Sequence, residues 1–96
     1  MMNKYETLYI INASLEDEAR KAVIEKFNGL VTTNGGIIAD VDEWGKRRLA
    51  YPIKDLNEGY YVLMHFSSPA LFPRELERNF KISDDILRYL VVRIEE

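Results

Sequence analysis

Side chains able to do covalent or acid–base chemistry are scarce in this chain. It has no cysteine and a single histidine, His65, so disulfides, thiolate metal sites and thiol nucleophiles are excluded. A metal at His65 would need carboxylate partners, and the linear pattern brings none beside it. Gly35-Gly36 has the composition of a phosphate loop, but it follows a helical segment instead of opening one, which makes it a helix terminator. No nucleophile, base and orienting group can be assembled, so the expectation is a protein that is not an enzyme and needs no metal or cofactor.

What remains is the chemistry of recognition. Lys46, Arg47 and Arg48 are consecutive, and a net charge of −3 over 96 residues conceals their setting. Residues 1–43 hold 4 basic and 8 acidic side chains, whereas 44–96 hold 9 basic and 8 acidic. Phosphate contacts come from clustered Lys and Arg, so the distribution decides more than the total. From the pattern alone, the three cations read first as a solvated strand that discourages edge pairing, and second as a phosphate contact.

The elements that position these residues follow from hydrophobic periodicity. Tyr5–Asn12, rich in aromatic and β-branched residues, is a first strand. Ser14 is placed to cap a helix carrying Leu15, Ala19, Ala22, Val23, Phe27, Leu30 and Val31 at helical spacing, which Asn34-Gly35-Gly36 ends. Ile37–Val41 opens a second strand that bends near Gly45 and resumes through Arg48, Leu49 and Tyr51 up to Pro52. Asp55–Gly59 reads as a turn, Tyr60–Ser67 as a third strand stopped by Ser68-Pro69, and Phe72, Leu76 and Phe80 as a short helix starting near Leu71 with Pro73 in its first turn. After the polar break Ser83–Asp85, Ile86–Ile94 is a final strand.

This order predicts one α+β domain over residues 1–96, a ferredoxin-like βαββαβ fold with a four-stranded antiparallel sheet and both helices on one face. The two-residue period of strands then sorts the side chains. Tyr5, Thr7, Tyr9 and Ile11, with Tyr60, Val62, Met64 and Phe66, are assigned to the helix-covered face. Leu8, Ile10, Tyr61, Leu63, Leu90 and Val92 fall on the open face beside Glu6, His65 and Arg88, and an apolar patch of that kind marks a binding surface. The start of the chain lacks the basic and apolar regions of an export signal, and the longest uncharged run, Asn28–Ala39, is too polar to cross a bilayer, so a soluble protein without membrane contact is expected.

The fold hosts many functions. A small phosphatase of the acylphosphatase kind would show a glycine-rich loop with an arginine after the first strand, where this chain has Asn12-Ala13-Ser14-Leu15. A metallochaperone would need a cysteine pair there. A homo-oligomeric regulatory or small-molecule-binding domain, using the same apolar face, stays open as an alternative.

Three segments carry a resemblance that covers nearly the whole chain: KYETLYIIN (Lys4–Asn12), WGKRRLAYPIKDLNEGYYVLMHF (Trp44–Phe66) and ISDDILRYLVVR (Ile82–Arg93). They are similar to the bacterial small-subunit ribosomal protein six family. The resemblance implies a ferredoxin-like fold, a cytoplasmic place in the central domain of the small ribosomal subunit, contact with small-subunit ribosomal RNA, and a heterodimer with ribosomal protein eighteen. It implies no small-molecule substrate. Some members extend into a longer C-terminal tail, and no role of that tail is carried over.

With the resemblance, phosphate contact becomes the first reading for Lys46, Arg47 and Arg48. Lys46 and Arg48 should point away from the face that Arg47 occupies, and Arg88 and Arg93 should likewise be on opposite faces. Arg88 is the better RNA candidate of that pair, and Lys4 adds a charge near the start of the chain. Leu8, Ile10, Tyr61, Leu63, His65 and Leu90 are the expected partner-binding residues. Tyr61 is read as a protein contact, because its neighbours are apolar and the sheet lacks the signature of an RNA-recognition motif.

Overall fold

The structure, a computed structural model, describes residues 2–53 and 55–94. Six elements follow one another: β1 (Met2–Asn12), α1 (Asp17–Thr33), β2 (Ile37–Ile53), β3 (Leu56–Pro69), α2 (Phe72–Ile82) and β4 (Ile86–Arg93). All strand pairings are antiparallel, in the order β2-β3-β1-β4. This is the ferredoxin-like arrangement expected from the sequence.

Alternation along the strands builds the core. Thr7, Tyr9 and Ile11 of β1 and Val62, Met64 and Phe66 of β3 are buried against Ile24, Phe27 and Val31 of α1 and Phe72, Leu76 and Phe80 of α2. The helix residues recur every three or four positions, so each helix offers one apolar stripe. At the centre, the Tyr9, Phe27 and Phe80 rings meet with centroids 4.5–5.5 Å apart, a spacing at which offset aromatic rings attract. The Thr7 hydroxyl, on the covered face, donates to the Leu90 carbonyl at 2.9 Å, which satisfies a buried polar group.

The helix ends differ from each other. Asn34 closes α1, Gly35 follows at φ +83°, and the amides of Gly35 and Gly36 donate to the carbonyls of Thr32 and Val31 at 3.2 and 2.8 Å. That is the Schellman closure, which needs a residue able to adopt a left-handed conformation. The expected cap at the other end is corrected: Ser14 does not cap α1. Glu16 occupies that position without a side-chain bond, while the Ser14 amide and hydroxyl both donate to Asn12 Oδ1, at 3.0 and 2.7 Å. Asn12 holds Ser14 in an Asx turn, the local bond that competes with capping. Asp17 and Glu18 in the first turn complement the helix dipole instead.

Two further boundaries are corrected. Asp55–Gly59 is not the turn. Ile53 pairs with Leu56 and Asp55 takes φ 64°, so β3 begins at Leu56 and runs on through Ser68 to Pro69. Gly59 is a glycine for a different reason, since a Cβ there would overlap Ile10 Cγ2.

Between Arg48, which pairs with Glu58, and Ile53, which pairs with Leu56, β2 departs from the ladder. This arm curls over the open face, burying Leu49 and, beneath it, Ile10, which is only 8% exposed. Leu49, Tyr51 and Ile53 of the arm, with Ile10, Tyr61 and Arg88 of the sheet, line a shallow hollow.

Candidate binding face

Strand registers arrange the uncovered face in rows across β2, β3, β1 and β4. Asp40, His65, Glu6 and Val92 form one row, and Asp42, Leu63, Leu8 and Leu90 the next. Gly45, Tyr61, Ile10 and Arg88 follow, and then Arg47, Gly59 and Asn12. The face therefore changes along the strands from carboxylates, through leucines, to aromatic rings and arginines. Lys4 stands one row beyond Glu6, at the carboxylate end.

Two irregularities of β2 create this order. Ile38 pairs with Phe66 but Asp40 with His65, so Ala39 is an inserted residue. Were Ala39 paired in a regular ladder, Asp40 would stand opposite Met64 and point into the core. Glu43 pairs with Val62 and Gly45 with Tyr61, so Trp44 is a second insertion, and Gly45 permits it at φ +86°. Bulges of this kind re-aim side chains. Trp44 is thereby stacked on Tyr61, with centroids 6.1 Å apart and planes 7° from parallel.

His65 is held by two carboxylates, Nδ1 to Asp40 Oδ1 at 2.7 Å and Nε2 to Glu6 Oε1 at 2.8 Å. Glu6 was expected on this face with His65, whereas the linear pattern gave no sign of Asp40. With an acceptor on each ring nitrogen, the arrangement favours the imidazolium, and the bonds to Asp40 and then Glu6 push the His65 pKa up. Both ring nitrogens are thus engaged by carboxylates. Among the described residues, no group of three or more His, Asp and Glu is placed to hold a metal ion.

The six candidate RNA residues do not form one run. Arg47 and Arg88 are at the arginine end of the open face, each with its guanidinium against an aromatic ring: Arg47 is 5.4 Å from the Trp44 centroid and Arg88 4.8 Å from that of Tyr51. Lys46 and Arg48, opposite Tyr60 and Glu58, are in the other phase, as alternation requires. Arg93, opposite Tyr5, is also in the other phase and donates to Asn3 Oδ1 at 3.2 Å.

Of the candidate partner residues, Leu90 is 58% exposed, Leu8, Tyr61, Leu63 and His65 are half-buried, and Ile10 supports the face from beneath Leu49. Sequence reasoning did not carry Trp44 and Tyr51 onto this face. Gly45 inside a strand pattern was the available signal for the first; the arm that delivers Tyr51 has no comparable mark.

Two helices on one face of a β2-β3-β1-β4 antiparallel sheet, with the other face graded in charge, define a small α+β domain of the ferredoxin-like class. Within it, the chain belongs to the family described as Ribosomal protein S6, whose model matches residues 4–93. It is 54% identical over 95 residues to the small ribosomal subunit protein bS6 of Clostridium novyi, covering 99% of this chain and all of that one. The bS6 protein of Caldanaerobacter subterraneus is 50% identical over the same shares. The crystal structure of 30S ribosomal protein S6 from Thermotoga maritima superposes with a TM-score of 0.92 at 28% identity, covering 98% of this chain and 89% of that one. The P2 domain of a chemotaxis kinase from the same organism reaches 0.65 at 10% identity, a likeness of fold alone. The chain is thus a protein of the small ribosomal subunit. Among the described residues, no helix is long and apolar enough to cross a membrane.

Proposed function

We propose that the chain is a structural component of the cytoplasmic small subunit that binds small-subunit ribosomal RNA and pairs with ribosomal protein eighteen through its open sheet face. The observation that carries this reading is the row Leu63, Leu8 and Leu90, apolar and uncovered by the chain's own helices, with arginines on one side of it and carboxylates on the other. Buried apolar rows between charged rims are the anatomy of protein interfaces. Arg47 and Arg88 on that face, and Lys46, Arg48 and Arg93 in the other phase, supply phosphate contacts, with Lys4 adding a charge at the opposite, carboxylate end of the face. On this reading the chain is not an enzyme. Its one histidine has both ring nitrogens engaged by the carboxylates of Asp40 and Glu6.

The test is binding of the chain, with ribosomal protein eighteen, to small-subunit ribosomal RNA over a range of salt. Replacing Arg47, Arg48 and Arg88 together by alanine should lower the salt slope by about one unit per lost phosphate contact, without changing sequence preference. An unchanged slope and affinity would remove these residues from the RNA interface. Binding that needs no partner, together with self-association by size-exclusion chromatography, would favour a homo-oligomeric domain.

A further inference from the structure

Trp44 is the only tryptophan of the chain, and nothing in the hydrophobic core requires it. It is the inserted residue of a bulge, 39% exposed, yet it is held from several directions. The Tyr61 ring backs one side, the indole N–H donates to Asp42 Oδ2 at 3.1 Å, and the Arg47 guanidinium stands over the ring. An exposed indole bonded through its N–H, with a guanidinium over its ring, is chemically a stacking platform.

We propose that Trp44 and Arg47 form a stacking site for one unpaired RNA base; the proposal rests on the RNA-binding reading above and gives it a ligand class. The base enters between indole and guanidinium, so that the order becomes Tyr61, Trp44, base, Arg47. Arg47 has no ion pair among the described residues, so it moves outward at little cost and stacks on the far side of the base. Its N–H edge then points to the adjoining phosphate. Arginine planes and aromatic rings both take unstacked bases in this way.

The surroundings favour a nucleotide over an acidic or basic peptide. Asp42, the nearest carboxylate in the row pattern, is engaged by the indole, and Asp40 and Glu6 are engaged by His65 two rows away. A second aromatic–guanidinium pair, Tyr51 with Arg88, stands at the same end of the face. Because every base has a π face, the site should tolerate sequence but reject duplex, whose bases are already stacked.

Trp44 itself reports the result. Short oligo(A) and oligo(U) should quench the intrinsic tryptophan emission saturably, and a duplex of equal length should not. Trp44→Leu should weaken single-strand binding by about 5- to 150-fold, Trp44→Phe should retain most of it, and Arg47→Ala should weaken it while leaving the circular dichroism unchanged. If the oligonucleotides bind, as judged by filter retention, with emission unmoved and Trp44→Leu unaffected, the stacking site is overturned and RNA binding stands. If emission responds to ribosomal protein eighteen and not to RNA, Trp44 belongs to the protein interface and the proposal fails. If no RNA of any form is retained, the RNA-binding reading fails and the stacking site with it.

Discussion

Leu63 is at the middle of the leucine row, next to Leu8 on β1 and opposite Asp42 on β2. Its neighbours along β3, Val62 and Met64, are fully buried in the core, so Leu63 points the opposite way and the core does not depend on it. Leu63→Lys is the informative change. An aspartate would oppose Asp42 directly, and like charges at paired positions destabilise a sheet by about 0.2–1 kcal/mol, whereas a lysine there meets an opposite charge. The domain should therefore lose no more than about 1 kcal/mol of stability, since the side chain is half-buried but outside the core. Partner affinity should behave differently. Leu63 is already partly buried in the free domain, so losing the remaining burial removes about 1 kcal/mol or less, and desolvating an ammonium in an apolar interface costs several kcal/mol more. Together they amount to more than about 3 kcal/mol, over a hundredfold in Kd. Urea denaturation gives the first quantity and calorimetric titration with ribosomal protein eighteen the second. A large loss of stability would mean that Leu63 carries core packing, and normal partner binding by a folded variant would place the interface elsewhere.

Three other outcomes test the structure. The Tyr9 hydroxyl is buried without a protein hydrogen-bond partner, and burial pushes its pKa far up; Tyr9→Phe should be neutral or stabilise by up to about 1 kcal/mol in urea unfolding, and a clear loss would reveal a bonded hydroxyl. Gly59→Ala should cost about 1–3 kcal/mol by overpacking against Ile10, while Gly29→Ala, in open space on α1, should gain about 0.5–1 kcal/mol; equal effects would contradict the close approach of Ile10 to Gly59. His65, bonded to Asp40 and Glu6, has its pKa raised on folding, so its contribution is complete below the unfolded pKa and is lost as pH rises through the folded one. An NMR titration should place the ring above the ordinary histidine value, and Asp40→Asn should lower it; a ring titrating at or below that value refutes the paired arrangement.

The sheet and its two faces were legible because alternation in β1 and β3 is nearly unbroken. Tyr9 and Val62 fall inward and Leu8 and Leu63 outward on the period of two alone. Legibility ended where a single residue resets that period. Nothing local to Ala39 announces an insertion, so the pattern gave no sign that Asp40 meets His65. At Trp44 the following glycine did announce a bend, but not which way the indole would turn. Ser14 was misread because its competitor, the Asn12 side chain, lies two residues away and offers a shorter-range bond. Gly59 was read as a turn former although it serves a contact with Ile10, which is distant in sequence and invisible to local pattern.

The place of β1 between β3 and β4 has a consequence for synthesis. β1 is the first strand to leave the ribosome, and β4 is the last of the six elements. Until β4 emerges, β1 has an unpaired edge from Tyr5 to Ile11, the Thr7 hydroxyl lacks its acceptor at Leu90, and Tyr89 is missing from its stack on Phe80. Closure thus waits on contacts between the two ends of the chain, the slow kind in topological terms. During that interval the nascent chain presents an open strand edge, the feature that recruits other strands. The sheet becomes safe from edge pairing at β1 only when its last eight-residue strand docks.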